Sequence, residues 1–580
     1  MSHTAHPRIT LLASASLALC LSYAHAASPN VDAGSLLRQA EQDLKPAKAA
    51  KKRAPRKAAP TAAAQNTEAT VQVKAFAFKG NTLLSSDALQ TALTSFTNRA
   101  LTLAQLKEAA DAITNTYREA GWTVRAYLPK QEINNGVVTL QIVEAVFGNA
   151  RVQTTSLERI EASRLVNMAQ ALLTQGQPIH ANDIDRALLL LDDLPGISVS
   201  GNLAEGQHDG ETDLAIFAAD DALLTGNASI DNQGSRATGT NRLSVNLNLN
   251  SPARMGDLLS TNLLQTRDSS YGRGSTYARG SYSLPVGYNG ARAGIHTSSL
   301  RYKVLESYDA SASGTYGTAD TTGFDASYPL LRSQFNNVNL TWSYDEKKLE
   351  NFAGEILNSS YKIKASNVSL STNHSDNWGR GGFTSTSATI TQGNLNNDGS
   401  PNAVADAQGA HVAGTYSKFN ISINRLQALT TDVSFYASLS AQVADKNLDS
   451  SERMYLGGAT GVRAFPASEA GGAAGHAVTL ELRKRLDNNF TLTSFYDVGH
   501  ITVNQHNAKA IDSSAVLTHL NAYDLKGYGA SVAWQDSKNI EFKTTLARRI
   551  ASNPNADVLG MDSDKTKHTL RLWISAGIGF

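Results

Sequence analysis

The sequence predicts α+β modules followed by an all-β, 16-stranded membrane-spanning barrel, preceded by one short N-terminal helix. Three observations lead there. Residues 71–220 hold a weak internal repeat of about 75 residues in which strands and helices alternate. From about residue 223 helical periodicity gives way to alternation, as in Leu243, Val245, Leu247 and Leu249 against Ser244, Asn246, Asn248 and Asn250. Only 18% of residues are charged while Ser, Thr, Asn and Gly abound, a texture that suits strands lining a wet interior.

A chain of 580 residues is long enough for two to four domains. Its net charge of +1 gives no bulk electrostatic case for nucleic acid. Residues 1–26 have the form of a secretory signal: His6 and Arg8, an apolar run from Ile9 to Leu21, and the small-x-small site Ala24-His25-Ala26. That run is too short to anchor the chain by spanning a bilayer. The single cysteine, Cys20, lies in this leader, so the mature chain is expected to carry neither a disulfide nor a cysteine metal site. The thirteen histidines are scattered, and no metal ligand set is expected. Gly-x-Ser-x-Gly and His-Glu-x-x-His are absent, as is a Walker motif, so neither an enzyme nor a bound nucleotide or other cofactor is expected.

The next segment, 27–44, is read as a helix over Asp32–Leu44 with Leu36, Leu37, Ala40 and Leu44 on one face. About three turns are marginal alone in water, so it must dock or fray. Residues 45–70 read as a linker; its first part, to Pro60, carries seven Lys/Arg, three prolines and no acid. Such a stretch is solvated and semi-extended, with anionic lipid as a possible contact.

The first module, 71–146, opens with a strand over Val71–Phe78. A helix follows from Ser85 or Ser86, then a second near Thr102 with Leu103, Leu106, Ala110, Ile113 and Tyr117 as its buried stripe. Strands over Val124–Leu128 and Val137–Val143 close it, with Asn134-Asn135-Gly136 as a hairpin signal. The second module, 147–221, repeats the order. It has a strand at Ala150–Gln153, helices near Leu157–Leu173 and from Asn182, and strands at Ile197–Asn202 and Thr212–Phe217. Each is β-α-α-β-β. Over residues 222–580, strands of roughly 10 residues with alternately short and long connections fit about 16 strands. A soluble β-sandwich is the competing reading, but sandwich strands are usually shorter. The last run alternates to its end, with Leu570, Leu572, Ile574, Ala576, Ile578 and Phe580 on one face.

Within the barrel a long loop, about 450–476, holds Gly457-Gly458-Ala459-Thr460-Gly461-Val462-Arg463-Ala464-Phe465. Downstream, Phe490, Leu492, Tyr496 and Val498 make a lipid-suited face, which turns Asp497 toward the lumen. A loop arginine and a lumenal aspartate are natural partners, because a charge-assisted contact can hold a loop inside a pore.

These residues resemble a known family: the outer-membrane transporters of two-partner secretion (TpsB), the hemolysin-activator type within the Omp85 superfamily. The resemblance covers nearly the whole mature chain. It identifies the two modules as POTRA domains, the barrel as 16-stranded and the loop as infolded, with Val462-Arg463-Ala464-Phe465 as its tip. Phe495, Asp497 and Gly499 meet the family's Phe/Gly-x-Asp-x-Gly strand motif, so the resemblance pairs Arg463 with Asp497 in the lumen. It also makes the N-terminal helix a plug and Phe580 the terminal aromatic read by the barrel assembly machinery. The family's tip has glycine where Ala464 stands. If that glycine has positive φ, alanine costs about 1 kcal/mol there.

The function implied is secretion of one large unfolded partner protein across the outer membrane, recruited in the periplasm by the POTRA domains, with outer-membrane lipids around the barrel. An assembly factor that inserts other outer-membrane proteins is the alternative. Those relatives usually carry three or more POTRA units. A passive porin leaves the modules without purpose.

Overall fold

A computed structural model describes residues 31–44 and 70–580, apart from 134, 155, 209, 269–271, 306–307, 309–313 and 507–519. The expected leader, the expected linker up to residue 69 and Asn134 of the hairpin signal lie outside the described residues.

The N-terminal helix α1 runs Ala33–Asp43. Asp32 caps it: its carboxylate accepts from the Ser35 N–H at 2.7 Å, and the Ser35 hydroxyl accepts from the Asp32 N–H. Eleven residues cannot hold a helix in water, and packing supplies the difference. Leu36, Leu37 and Ala40 are buried in one cluster with Leu264, Tyr277, Leu300, Tyr302, Leu349, Tyr361, Ile363 and Tyr416, all on barrel strands.

The first module comprises β1 (Thr70–Val73), β2 (Ala75–Lys79), α2 (Ser86–Ala92), β3 (Arg99–Thr102), α3 (Leu103–Glu119), β4 (Val124–Tyr127) and β5 (Val137–Glu144). The sheet order is β2-β5-β4, with β1 and β3 as a separate ribbon. Three expectations are corrected here. The single strand expected over Val71–Phe78 breaks at Lys74, whose N–H donates to the Gly136 carbonyl at 2.7 Å. Leu103, expected in the buried stripe, is 44% exposed; it opens the helix directly after its Thr102 cap, and the buried face begins at Leu106 with Ala109 and Ala110. The Asn135-Gly136 turn does not close a tight hairpin, because Tyr127 pairs with Gln141 while Val137–Leu140 pair with β2.

Glu144 locks the loop before α2. Its carboxylate accepts from the N–H groups of Thr82 (2.8 Å) and Leu83 (2.9 Å), the Thr82 hydroxyl and the Tyr117 hydroxyl (2.9 Å). Burial pushes this carboxyl up, but the hydrogen bonds from Thr82, Leu83 and Tyr117 outweigh it and hold it below the usual glutamate range. A depressed carboxylate stabilises the fold above its unfolded pKa and loses that contribution as pH falls through the folded value. The protection factors of the Thr82 and Leu83 amides should therefore be high at neutral pH and fall only once the pH drops below the ordinary glutamate range. Glu144→Gln should expose these amides already at pH 7. Equal protection in the two proteins at pH 7 would remove Glu144 from this role.

The second module comprises β6 (Val146–Val152), α4 (Ala162–Leu172), α5 (Ala181–Asp192), β7 (Ile197–Glu205) and β8 (Glu211–Asp220), in sheet order β6-β8-β7. The first of its helices is shorter than Leu157–Leu173. The N–H groups of Glu158 and Arg159 donate to the Asp220 carboxylate at 2.8 and 3.0 Å, and Ile160 bridges to Met255, so this stretch stays extended. The modules are joined by backbone hydrogen bonds: Thr123 N–H to Ile179 O (3.2 Å), Ile179 N–H to Ala145 O (3.0 Å) and Ala181 N–H to Gly121 O (2.8 Å). Trp122 meets His180 edge-on at 4.9 Å.

Sixteen antiparallel strands close into a barrel. They are β9 (Leu224–Asp231), β10 (Asn241–Asn250), β11 (Leu258–Asp268), β12 (Gly272–Val286), β13 (Ala291–Lys303), β14 (Thr315–Arg332), β15 (Asn336–Ala353), β16 (Ile356–Asp376), β17 (Gly382–Asn396), β18 (Gly414–Ala428) and β19 (Val433–Ala444). After two short infolded strands, β20 (Met454–Tyr455) and β21 (Gly471–Gly472), come β22 (Ala474–Arg485), β23 (Phe490–Thr502), β24 (Ala522–Gln535), β25 (Ile540–Arg549) and β26 (Leu570–Gly579). Ile295, Val368, Ile390, Leu480 and Ile574 are exposed on the outer wall, the apolar belt of a barrel facing lipid. No described helix is long and apolar enough to cross a membrane.

Strands near 10 residues were expected, yet β14, β15 and β16 have 18, 18 and 21. Their inner faces supply Ala319, Leu349, Tyr361 and Ile363 to the cluster around α1, so the extra length walls in the helix.

The second module grips the other end. The Ser251 hydroxyl donates to Pro195 O at 2.7 Å, Arg186 donates to Pro329 O at 2.9 Å, and Arg332 makes a two-pronged contact with Asp193 at 2.7 and 2.8 Å.

Candidate functional site: the infolded arginine loop

The connection between β19 and β22, residues 445–473, folds into the barrel rather than out of it. Its tip is a compact turn: the Val462 N–H donates to Leu456 O at 2.7 Å and the Phe465 N–H to Val462 O at 3.1 Å. Val462, Ala464 and Phe465 are at most 1% exposed, packed with Leu456, Phe495, Leu525 and Ala547.

Arg463 reaches the wall. Its Nε and Nη2 donate to the two Asp497 oxygens at 2.9 and 2.8 Å, a fork-to-fork contact, and its backbone N–H adds a third bond at 3.2 Å. Nη1 donates to Glu481 Oε1 at 2.7 Å. The guanidinium lies 3.5 Å from the Phe495 ring centre, a cation–π contact. Its own carbonyl accepts from the Trp573 indole N–H at 2.8 Å. Two outer groups orient the acids: the Thr479 hydroxyl donates to Asp497 at 3.0 Å, and Arg483 Nε to Glu481 at 2.7 Å. Gly499 lies under the loop, where a Cβ would stand 2.9 Å from Leu456.

Strand parity explains the meeting. On β23, Thr493, Phe495, Asp497 and Gly499 face in while Phe490, Leu492 and Tyr496 face out. On β22, Glu481 lies between outward Leu480 and Leu482, directly opposite Phe495.

Three features were not legible beforehand. A pair in a wet interior would be hydrated and worth little; Arg463 is 5% and Asp497 1% exposed, so the pair is dry. Glu481, which Arg483 also holds, gives Arg463 a second carboxylate; an acid between two lipid-facing leucines is the signal that could have found it. A second clamp holds the loop's base. Glu469, 3% exposed, accepts from Asn553 and from the Ser563 N–H, both at 2.9 Å, tying it to the 550–569 loop. Arg549, paired with Asp562, lies 4.8 Å from the Phe465 ring centre.

Ala464 is not among the positive-φ residues, so the conditional strain does not arise. Its methyl does constrain the wall: a Cβ on Gly527 would stand 2.5 Å from Ala464 Cβ. Gly527→Ala should loosen the tip, read as faster cleavage of the 445–473 loop by protease, and Ala464→Gly should restore protection in the double variant. No restoration would show that the two positions do not share this space.

Phe580 is 55% exposed on the outer wall, and its N–H and carbonyl pair with Gly226 at 2.9 and 2.8 Å where β26 meets β9. Among the described residues no group of three or more His, Cys, Asp or Glu is placed to hold a metal ion.

Residues 210–518, more than half of the chain, match the family model described as haemolysin secretion/activation protein ShlB/FhaC/HecB, and residues 71–145 match the ShlB-type POTRA domain. The chain belongs to the ShlB/FhaC/HecB family. It is 26% identical to the heme/hemopexin transporter protein HuxB of Haemophilus influenzae, across 95% of this chain and 97% of that protein. It is also 26% identical to the outer membrane transporter CdiB of Dickeya dadantii, across 76% of this chain and 77% of that one. The structure of CdiB from Escherichia coli shares the fold, with a TM-score of 0.65 and 20% identity over 90% of this chain and 93% of that one. Like its relatives, this ShlB-family member is an outer-membrane transporter of two-partner secretion, and its POTRA modules lie on the periplasmic side.

Proposed function

We propose that the chain takes one cognate, large exoprotein from its POTRA modules, passes it unfolded through the barrel, and uses Arg463 to hold the infolded loop against the wall between passages. The observation that supports this reading is the buried Arg463–Asp497–Glu481 cluster inside a closed barrel that also houses α1. β4 in the first module and β7 in the second are edge strands of their sheets, and the exposed Leu203–Glu205 end of β7 suits an extended segment that adds as a strand. Docking at two barrel turns, after β10 and at the end of β14, keeps the second module beside the lumenal entrance. Transport then requires α1 to leave the lumen and the loop to yield. With no catalytic group assigned, folding of the emerged cargo outside is the driving step. The C-terminal strand, ending in outward Phe580, is read by the assembly machinery during insertion.

The test is secretion of a candidate cognate exoprotein in a host that lacks other transporters of this kind. Full-length cargo should appear outside only when this chain is present. Cargo that stays periplasmic beside a correctly inserted, heat-modifiable barrel would refute the reading.

A further inference from the structure

The wall that shelters α1 on its inner side carries a second surface on its outer side. On β15 the outward residues run Leu340, Trp342, Tyr344, then Glu346, Lys348 and Glu350. Leu340 and Trp342 belong to the lipid-facing belt, and Phe324 of β14 packs against Trp342 at 5.2 Å and Tyr344 at 5.5 Å. Such an aromatic group marks the membrane boundary. The strand continues past it. Lys348 lies four residues beyond Tyr344, which at the usual rise and tilt is about 10 Å further out, the level of lipid headgroups rather than of water far from the bilayer.

Neighbouring ladders place more cations at that height. On β16, outward Leu370 and Val368 are followed by Ser366, Lys364 and Lys362. Lys362 stands directly opposite Lys348, and Lys364 opposite Glu346. Like charges opposite one another across two strands repel. Lys348 is partly offset by Glu350, 2.9 Å away, and by Asp320 opposite it on β14. Lys362 and Lys364 face only neutral amides on their other side, Asn396 and Asn394 of β17. Two ammonium groups two residues apart on one strand face, beside two amides, offer the donors a phosphate takes.

We propose that Lys348, Lys362 and Lys364 bind the phosphates of the phosphorylated glycolipid of the outer leaflet, lipopolysaccharide, on the outer face of β15–β16. The inference rests on the outer-membrane placement of the barrel, not on what it transports. Neutralising this face steadies the same tall wall whose inner side holds Tyr361, Ile363 and Leu349 against α1.

The experiment uses the full-length chain, purified in nonionic detergent and stripped of lipid, titrated with rough-type lipopolysaccharide and followed by native mass spectrometry. The variant is Lys348→Gln/Lys362→Gln/Lys364→Gln, with Lys538→Gln in the opposite-end turn as the control. The wild type and the control should bind at least tenfold more tightly than the triple variant, and a triple Lys→Arg variant should restore binding. Wild-type lipid A stripped of its phosphates should bind no better than the Gln variant binds lipopolysaccharide. Heat-modifiable mobility confirms that each variant is a folded barrel. Equal affinity of the folded triple variant, indifference to the phosphates, or equally tight capture of phosphatidylglycerol would each overturn the proposal. None of these outcomes bears on secretion of the exoprotein, which is measured separately.

Discussion

Arg463→Ala is expected to reduce secretion of the cognate exoprotein to near background while the barrel still inserts and keeps its heat-modifiable mobility. The side chain offsets two buried carboxylates at once, Asp497 and Glu481. Removing one partner of a buried pair costs about 3–5 kcal/mol, because Asp497 is left buried without a counterion, while Glu481 keeps Arg483. The cost falls on the loop, whose tip is otherwise held by Val462, Phe465 and the Trp573 hydrogen bond, and not on the sixteen-strand ladder. Arg463→Lys should recover only part of the activity, since an ammonium cannot reproduce the fork on Asp497 while also reaching Glu481. Asp497→Asn should resemble the alanine variant less closely, because Glu481 remains to hold the guanidinium. Protease accessibility of the 445–473 loop is the companion measurement. Wild-type secretion by Arg463→Ala with the loop freshly exposed would show that this anchor is dispensable for transport.

Leu37→Asp should empty the lumen of α1. Leu37 has no exposure, and its cluster is made of barrel residues such as Leu300, Tyr302 and Ile363. A carboxylate has no partner there, and truncating such a leucine even to alanine costs about 2–5 kcal/mol. The helix has little of its own to resist with, being three turns long. What remains at its ends is polar: Asp32 with Ser450 at 2.9 Å, the Ala33 N–H on Asn351 at 2.9 Å, and Asp43 with Arg242, which also holds Asp231. The expected result in planar bilayers is a conductance that rises to that of a chain lacking residues 31–44. Conductance unchanged from wild type in Leu37→Asp would show that α1 does not block the path.

Much of this was legible in the residues because a barrel strand is a simple code. Asp497 could be assigned to the lumen from Phe490, Leu492 and Tyr496 alone, and the final run announced its outer face down to Phe580. The second acid, Glu481, obeys the same rule, set between outward Leu480 and Leu482. Dryness was not legible at all. Whether an ion pair is wet depends on which distant chain segments cover it, and here the cover comes from Leu456, Trp573 and the 550–569 loop. The modules show the opposite weakness. Helix starts were legible to within a residue, at Ser85 or Ser86 and near Thr102, yet Leu103 and the break at Lys74 turned on where one sheet ends and the next ribbon begins, a tertiary matter.

The grip of the second module on two barrel turns bears on what the transporter accepts. An arm fixed by Ser251, Arg186 and Arg332 cannot swing to meet its passenger. The spacing between capture point and gateway is then a constant of the molecule, like the gauge of a railway. A passenger whose recognition segment lies too far along its chain from the part that enters first would be held yet never loaded. Selectivity by span, independent of any side-chain match, follows from that anchorage.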